Sequence, residues 1–224
     1  MHIDEVLSIL EIDDYQRFLE KNYYVPVKSF LDKELCDHLF QTLLMMVQRN
    51  QCKMADDQVT CPSWSSISYA FLDTVLLNKK EEVEELVGCK LYPSYAYARC
   101  YFPESILNPH KDRPSCEVSV TCTLGYKGEH SSLYLVKDKI DDELPGNIDF
   151  SEVEKRRAGR PLKITLTDPG DGLLYLGTKL IHWRDELPKN AMLSQLFLHY
   201  VRCDGKNADY KYDKRNPNDL LLEA

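Results

Sequence analysis

The chain has 224 residues, of which 43% are apolar, so it can bury a substantial core without disulfide or metal cross-links. Its 28 Lys and Arg residues are outnumbered by 36 Asp and Glu, giving a formal net charge of −8, and no segment clusters basic side chains. A nucleic-acid partner is therefore disfavoured, because phosphate binding requires a basic surface.

The N-terminus and the cysteines bear on the cellular compartment. The first residues, MHIDEVLSILEIDDYQ, are acidic where a signal peptide would be basic, and no apolar run approaches the roughly 20 residues that span a bilayer. The eight cysteines form no CxxC pair, which favours reduced thiols. We expect a cytoplasmic protein of one domain with no membrane partner; the oligomeric state stays open.

Residues 1–90 are predicted to form a mainly helical layer packed on the core. A first helix is expected at about 3–20. A second spans 30–50, where Asp32 can cap the first turn. Its apolar residues recur at four-residue spacing: Leu35, Leu39, Leu43 and Val47.

The hydrophobic period changes after a third helix, predicted over 69–87 with Gly88 as its stop signal. From 95 to 102, larger side chains alternate with small or apolar ones, which is typical of a strand. Five further segments are rich in Val, Leu, Thr and Tyr: 117–124, 132–136, 162–166, 172–176 and 192–201. Together they predict an α+β, mainly β fold with an antiparallel jelly roll over 91–203.

Two polar segments accompany this core. Residues 137–161 are expected to form a charged loop over one mouth of the barrel, as a candidate lid, with a short helix capped by Ser151 and Glu154. Residues 204–224 form a polar C-terminal tail for which we predict no structure.

Three side chains suit a metal centre. The sequence NPHKDRP places His110 and Asp112 two residues apart, so an extended backbone points both to one side. A second imidazole, His182, follows the strand GLLYLG. Two histidines and a carboxylate form the facial triad that holds Fe(II) and leaves open positions. An HxD pair alone is weak evidence, and its place between two strands strengthens the prediction.

Around these residues the sequence resembles the Fe(II)- and 2-oxoglutarate-dependent dioxygenases, particularly the prolyl 4-hydroxylase-like branch. The similar segments are YARCYFPESILNPHKDRPSCEVSVTCTLGY, DPGDGLLYLGTKLIHWRDEL and QLFLHYV, and FLDKELCDHLF is similar to the helix that opens such domains. The resemblance covers roughly residues 90–201. It implies a double-stranded β-helix core of the jelly-roll or cupin-like kind.

The same resemblance implies that His110, Asp112 and His182 are the iron ligands and the catalytic centre. It implies Fe(II), 2-oxoglutarate and O₂, with ascorbate as an optional reductant. The implied reaction hydroxylates an unactivated C–H bond while 2-oxoglutarate is decarboxylated to succinate. The branch implies a prolyl residue of a protein or peptide as substrate; a free amino acid or another small molecule is the alternative.

The sequence indicates the co-substrate site less clearly than the metal site. The resemblance implies that Tyr101 lends its phenol to the 2-oxoglutarate pocket, unless it is simply a barrel residue. The prolyl hydroxylases bring a Lys or Arg from the last core strand, and LSQLFLHYV offers neither. Arg184 is the nearest substitute, because it shares a face with His182 in an extended chain. Alternatively, Arg184 is a surface residue beside Asp185 and Glu186.

Thr123 is a further candidate for the co-substrate pocket. It shares a strand face with Thr121 and Ser119, and its hydroxyl could donate to the same carboxylate or only satisfy a neighbouring carbonyl. Arg99 faces the same way as Tyr101, and we expect it at the rim in a salt bridge rather than as an anion binder.

Three neighbours of the motif carry lesser expectations. Arg113 could orient Asp112 by a hydrogen bond or belong only to a tight turn. His199 is expected to be a packed core histidine. Trp183, beside the candidate ligand His182, is expected to shield the site or contact substrate.

Two rival functions predict a similar barrel, so the fold cannot separate them. One is a cupin-like metal enzyme that does not use 2-oxoglutarate. The other is a non-catalytic β-barrel binding module with a vestigial triad.

Overall fold

The computed structural model describes residues 12–54, 58–60, 63–67, 70–144 and 146–215. Its α-helices are α1 (Ile12–Asn22), α2 (Lys33–Gln48), α3 (Ala70–Asn78), α4 (Lys80–Val87) and α5 (Phe150–Arg156). None of the helices in these ranges has the length and hydropathy needed to cross a membrane.

The strands form two antiparallel sheets. They are β1 (Tyr24–Val27), β2 (Lys53–Met54), β3 (Ser63–Ile67), β4 (Leu91–Tyr101), β5 (Leu107–His110), β6 (Val118–Lys127), β7 (Leu133–Asp138), β8 (Arg157–Ile164), β9 (Gly172–Tyr175), β10 (Leu180–Arg184) and β11 (Met192–Arg202). The larger sheet has the order β1-β9-β6-β11-β4-β3-β2, and the smaller one β5-β10-β7-β8. The prediction of an α+β, mainly β protein with a double-stranded β-helix core is confirmed.

The helix signals in the sequence are largely borne out. Asp32 caps α2, because its Oδ1 accepts hydrogen bonds from the N–H groups of Glu34 and Leu35 at 2.8 and 3.2 Å. Gly88 ends α4 with φ of +75°, a conformation that glycine adopts without strain. The third predicted helix is divided into α3 and α4, and positions 3–11 of the first lie outside the described residues.

In the described part of residues 1–90, three short strands accompany the helices and join the larger sheet: β1, β2 and β3. β1 pairs with β9, and β3 pairs with β4. These strands have two to five residues, which is too short for alternation to distinguish them from loops. β1 and β3 pair with strands far along the chain, so tertiary contacts decide their conformation.

The larger sheet separates two apolar cores. Its outer face packs against the helices through residues such as Phe30, Leu43, Val120 and Leu198. Its inner face meets the smaller sheet in a second core that includes Tyr101, Leu135, Leu173, Leu180 and Phe197. Successive side chains of β4, β6 and β11 enter different cores, and this explains why residue types alternate along these strands.

The segment 137–161 is more regular than the predicted loop. β7 continues to Asp138, and β8 begins at Arg157. The short helix is present as α5, but its N-cap is Asp149, whose Oδ1 accepts from the N–H of Glu152 at 2.8 Å. The capping prediction therefore placed the start of the helix two residues too late. In the tail, a kinked 3₁₀ segment covers Ala208–Lys214, and 216–224 lie outside the described residues.

Candidate metal and co-substrate site

Strand pairing brings the two histidines together. β10 and β5 are antiparallel neighbours, and their register sets His182 directly opposite His110. The two rings are 4.2 Å apart between centroids, and both side chains are almost fully buried. Asp112 follows β5, with its Oδ1 3.9 Å from His110 Nε2 and 3.6 Å from His182 Nε2. Three residues from two distant segments thus point their donor atoms at one place.

Backbone carbonyls fix the tautomers of both rings. His110 Nδ1 lies 2.7 Å from the carbonyl oxygen of Asn108, and His182 Nδ1 lies 3.2 Å from that of Leu180. Because a carbonyl only accepts, each Nδ1–H donates and each Nε2 keeps a lone pair for a metal. Burial lowers the pKa of His182 to about 4. The ring is therefore neutral near pH 7, which is its metal-binding form.

Asp112 is held both by its backbone and by its carboxylate. The Asp112 N–H donates to the carbonyl oxygen of Gly177 at 3.0 Å, and Oδ2 accepts from Ser119 Oγ at 3.0 Å. A Cβ at position 177 would lie 2.1 Å from Oδ2, so this position needs glycine. Burial raises the pKa of Asp112, because the surrounding protein solvates the charged carboxylate less well than water does.

The residues present fit a ferrous ion. Metal bonds to imidazole nitrogen and carboxylate oxygen are about 2 Å long, so donor atoms 3.6 and 3.9 Å apart can share one ion. Two neutral imidazoles and one carboxylate are the donor set of non-haem Fe(II) oxygenases. The three candidate ligands His110, Asp112 and His182 form one of the groups that could hold a metal.

Arg184 lies inside the barrel with the triad. Its side chain is 2% exposed and lines the same cavity of about 20 Å³, whereas Asp185 and Glu186 are exposed. Arg184 Nη2 donates to Gln195 Oε1 at 2.8 Å, and Nε and Nη1 make no hydrogen bond within the described ranges. A buried guanidinium with two unused donors is suited to a carboxylate ligand.

Tyr101 also lines this cavity, and its ring centroid is 4.8 Å from the Arg184 guanidinium. The hydroxyls of Thr121 and Thr123 are buried, and neither has a hydrogen-bond partner among the described atoms. Thr121 borders the metal cavity, while Thr123 borders an adjoining cavity of about 10 Å³ that it shares with Arg184. Thr123 therefore lines a different cavity from the triad, and Thr121, Leu133, Arg184 and Gln195 border both cavities.

Arg99 differs from its expected position at the rim. Its side chain is 3% exposed and lines the metal cavity, with the guanidinium 5.7 Å from the Tyr97 ring centroid and 5.8 Å from that of Tyr101. It follows the alternation of β4, which also turns Tyr97 and Tyr101 into this cavity. The expectation underestimated how far this face is enclosed.

Several cavity residues were not identified from the sequence, among them Tyr97, Tyr175, Gln195 and Phe197. A signal was available for Gln195, because it is a polar residue in an apolar strand and shares the alternation of β11 with Phe197. The Tyr175 ring lies 5.3 Å from the His182 ring. That contact depends on how β9 packs across the barrel, which the sequence does not reveal.

The expectation for Trp183 is wrong. The residue points to the opposite face of β10 from His182, where its ring stacks on Tyr134 at 5.3 Å and contacts Phe150 of α5. Arg113 forms an ion pair with Asp213 at 2.9 Å and is half exposed.

His199 is a buried core residue, as expected. Its Nδ1 lies 2.8 Å from Ser119 Oγ, and burial lowers its pKa to about 3.

Comparison with solved structures identifies the fold. The chain is similar to SnoK, a non-haem α-ketoglutarate-dependent carbocyclase of nogalamycin biosynthesis, at 11% identity and a TM-score of 0.66 over 88% of this chain and 86% of that one. It is similar to HygX from Streptomyces hygroscopicus, solved with nickel and 2-oxoglutarate, at 11% identity and 0.63 over 85% and 87%.

A Pseudomonas putida prolyl-4-hydroxylase is similar at 11% identity and a TM-score of 0.59, over 86% of this chain and 100% of that one. No protein-family model and no curated protein sequence matches the chain. The chain therefore has the double-stranded β-helix fold of the 2-oxoglutarate and Fe(II) oxygenases, with little sequence identity to these structures.

Proposed function

We propose that this protein is an Fe(II)- and 2-oxoglutarate-dependent dioxygenase that hydroxylates an unactivated C–H bond. The observation that carries the proposal is the convergence of His110, Asp112 and His182 in a buried cavity that also contains Arg184. When bound, Fe(II) with 2-oxoglutarate and O₂ would supply the oxidising chemistry, with ascorbate as an auxiliary reductant.

The chain's own residues bind and orient the reactants. His110, Asp112 and His182 would hold the ion, and Arg184 would pair with the distal carboxylate of 2-oxoglutarate through its unused donors. The Tyr101 phenol, beside Arg184, would add a hydrogen bond to the co-substrate. Thr123 would serve the same carboxylate if the co-substrate reaches the adjoining cavity.

Co-substrate entry would require a side-chain movement. The two cavities, of about 20 and 10 Å³, are each close to the size of a water molecule. Arg184 and Gln195 border both of them. A rotation of these two side chains would join the cavities into a pocket that runs from the metal ligands to Thr123. The closed cavity would also exclude bulk water around the reacting groups.

For the substrate, the resemblance to prolyl 4-hydroxylases favours a prolyl residue of a protein or peptide. One observation favours a second class. Arg99 places another buried guanidinium in the cavity, which suits the carboxylate of a free amino acid or a similar small anion. The structural neighbours differ in the ligands they were solved with, since SnoN was solved with nogalamycin RO and a Trichoplax adhaerens prolyl hydroxylase with a peptide.

An anaerobic titration tests the proposal. Protein mixed with Fe(II) and 2-oxoglutarate without oxygen is expected to develop a visible metal-to-ligand charge-transfer band. The band should be lost in His182→Ala and kept in His38→Ala, which replaces an exposed histidine of α2. Iron binding without the band would indicate a metal enzyme that does not use 2-oxoglutarate. Binding of neither would indicate a non-catalytic module.

Mass spectrometry after aerobic turnover identifies the substrate class. Proline-containing peptides and free amino acids, incubated with Fe(II), 2-oxoglutarate and ascorbate, would be searched for the gain of one oxygen atom. Oxidation of a peptidyl proline supports the first substrate class, and oxidation of a free acid supports the second.

A further inference from the structure

A chain of hydrogen bonds leads away from the candidate metal ligand Asp112. Its Oδ2 accepts from Ser119 Oγ at 3.0 Å, and the same Oγ lies 2.8 Å from His199 Nδ1. Ser119 and His199 are directly paired residues of β6 and β11. The pair therefore stands on two neighbouring inner strands of the larger sheet, each of which is paired with a strand on both sides.

The direction of these hydrogen bonds follows from the chemistry of the groups. An ionised carboxylate only accepts, so Ser119 must direct its single proton to Asp112 or to its second acceptor, the Cys116 carbonyl oxygen at 3.2 Å. If His199 Nδ1 were the acceptor, it would compete for that proton. The arrangement is satisfied when His199 Nδ1–H donates to Ser119 and Ser119 donates to Asp112.

The His199 ring is held between two aromatic rings in a position that leaves one of its nitrogen atoms without a hydrogen bond among the described atoms. It lies 4.6 Å from the Tyr95 ring and 5.7 Å from the Tyr97 ring, between centroids. With Nδ1 as the donor, Nε2 is a buried acceptor, and it has no hydrogen-bond partner among the described atoms. A residue needed only for packing would be better as Phe or Leu, because a buried unpaired polar atom is destabilising.

The two oxygens of Asp112 consequently have different surroundings. Oδ1 is the atom near the Nε2 atoms of His110 and His182, while Oδ2 is engaged by Ser119. A carboxylate held in this way presents one oxygen to a metal. If both oxygens bound, the triad would occupy four of six octahedral positions, and a bidentate keto acid would fill the other two. One-oxygen binding leaves a position for O₂.

We propose that His199 is a positioning residue that acts through Ser119 to keep Asp112 a one-oxygen ligand. This inference rests on the proposed function. His199 contributes a hydrogen bond with a fixed direction, so Asn, whose side-chain N–H can take the place of Nδ1–H, should preserve the effect. Phe fills the same space between Tyr95 and Tyr97 without the donor and should abolish it.

The experiment compares His199→Phe and His199→Asn with the parent protein. We expect His199→Phe to bind Fe(II) and 2-oxoglutarate anaerobically with the charge-transfer band present, but to lose the band at least tenfold more slowly when mixed with O₂. His199→Asn should recover most of the parent rate. Ser119→Ala should behave like His199→Phe, because it removes the same link.

A second readout does not depend on turnover. The visible absorption of bound Co(II), measured without 2-oxoglutarate, reports the coordination number and should change in His199→Phe and Ser119→Ala but not in His199→Asn. Tyr200→Phe is the matched control, since it removes a buried hydrogen bond to the Leu76 carbonyl from the same strand but on its other face. It should leave both readouts unchanged.

The outcomes separate this inference from the proposed function. If the parent protein shows no charge-transfer band, the proposed function fails. If the parent shows the band and His199→Phe matches it in oxygen reactivity and Co(II) spectrum, the positioning role is wrong. Equal defects in His199→Phe and His199→Asn would also overturn it, because they would reflect packing rather than the hydrogen bond.

Discussion

Lys111 Nζ lies 3.0 Å from Asp138 Oδ2 in the protein interior, although Lys111 stands between the candidate metal ligands His110 and Asp112. Lys111 and Asp138 are 3% and 1% exposed in their side chains. Arg156 of α5 donates to the same Oδ2 through Nη2 at 2.6 Å. The HxD segment and the 137–161 segment are therefore joined by a buried ion network.

Replacing Lys111 with Met should destabilise the fold while preserving side-chain volume. Breaking a buried ion pair costs about 3–5 kcal/mol, and we expect the lower end because Asp138 keeps Arg156 as a partner. Urea unfolding measures the change. Lys155→Met, which removes an exposed pair with Glu152, should change stability by no more than about 0.5 kcal/mol. Equal effects of the two substitutions would mean that the buried network contributes little.

Arg184→Met should weaken 2-oxoglutarate binding without removing the metal. Hydrogen bonds to charged groups contribute about 1.5–3 kcal/mol, so the apparent KM for 2-oxoglutarate should rise about 10- to 100-fold. Arg184→Lys keeps the charge but loses the planar fork, and it should fall between the parent and Met. An unchanged KM in Arg184→Met would mean that another residue binds the distal carboxylate of 2-oxoglutarate, and Arg99 would be the next candidate.

Without metal, stability should fall as the solution is acidified below pH 6.5. Burial lowers the pKa of His182 from 6.5 to about 4, so between these values the unfolded chain binds a proton that the folded chain does not. The contribution of His182 to the free energy of unfolding is fully present above pH 6.5. It falls by on the order of 3 kcal/mol as the pH decreases to 4. The raised pKa of Asp112 acts in the opposite direction.

The difference between the parent and His182→Gln isolates the histidine. Urea unfolding in the presence of a chelator, repeated from pH 7.5 to 4, should show a steeper decline for the parent. Parallel pH profiles for the two proteins would contradict the lowered pKa of His182.

Gly177→Ala should impair both metal binding and folding. The new methyl group would lie 2.1 Å from Asp112 Oδ2 and 2.6 Å from the Cys116 carbonyl oxygen, so the carboxylate and the neighbouring backbone must both move. We expect at least a tenfold weaker affinity for Co(II), measured by titration. Gly172→Ala, where the added Cβ meets Phe30 at 3.1 Å, is the control for crowding elsewhere. The explanation would fail if both variants bound Co(II) like the parent.

Much of the fold was accessible from the sequence because long strands between two cores alternate over most of their length. β4, β6 and β11 each have ten or eleven residues, which is enough to establish a period of two. β1, β2 and β3 gave no such signal, since they are too short to show a period, and β1 and β3 also depend on partners far along the chain. The fold class was therefore predictable, whereas the composition of the larger sheet was not.

The candidate site was predictable where it depended on local geometry. The grouping of His110 with Asp112, and of Arg184 with His182, follows from the two-residue repeat of an extended chain. The prediction for Trp183 was wrong, because the same repeat turns this residue to the opposite face of β10 from His182. Gly177 and Tyr175 could not be recognised, since their roles arise from contacts between segments far apart in sequence.

The buried network through Lys111 also has a thermodynamic consequence. Asp138 pairs with both Lys111 and Arg156, and the Ile148 N–H donates to the Pro109 carbonyl at 2.9 Å, so the 137–161 segment is held to the chain beside His110 and Asp112. Ordering of His110 and Asp112 by a cation should then also order this segment, because each restricts the other's local opening. Amide hydrogen exchange across 138–156 would slow on metal loading, and Lys111→Met would uncouple the two events.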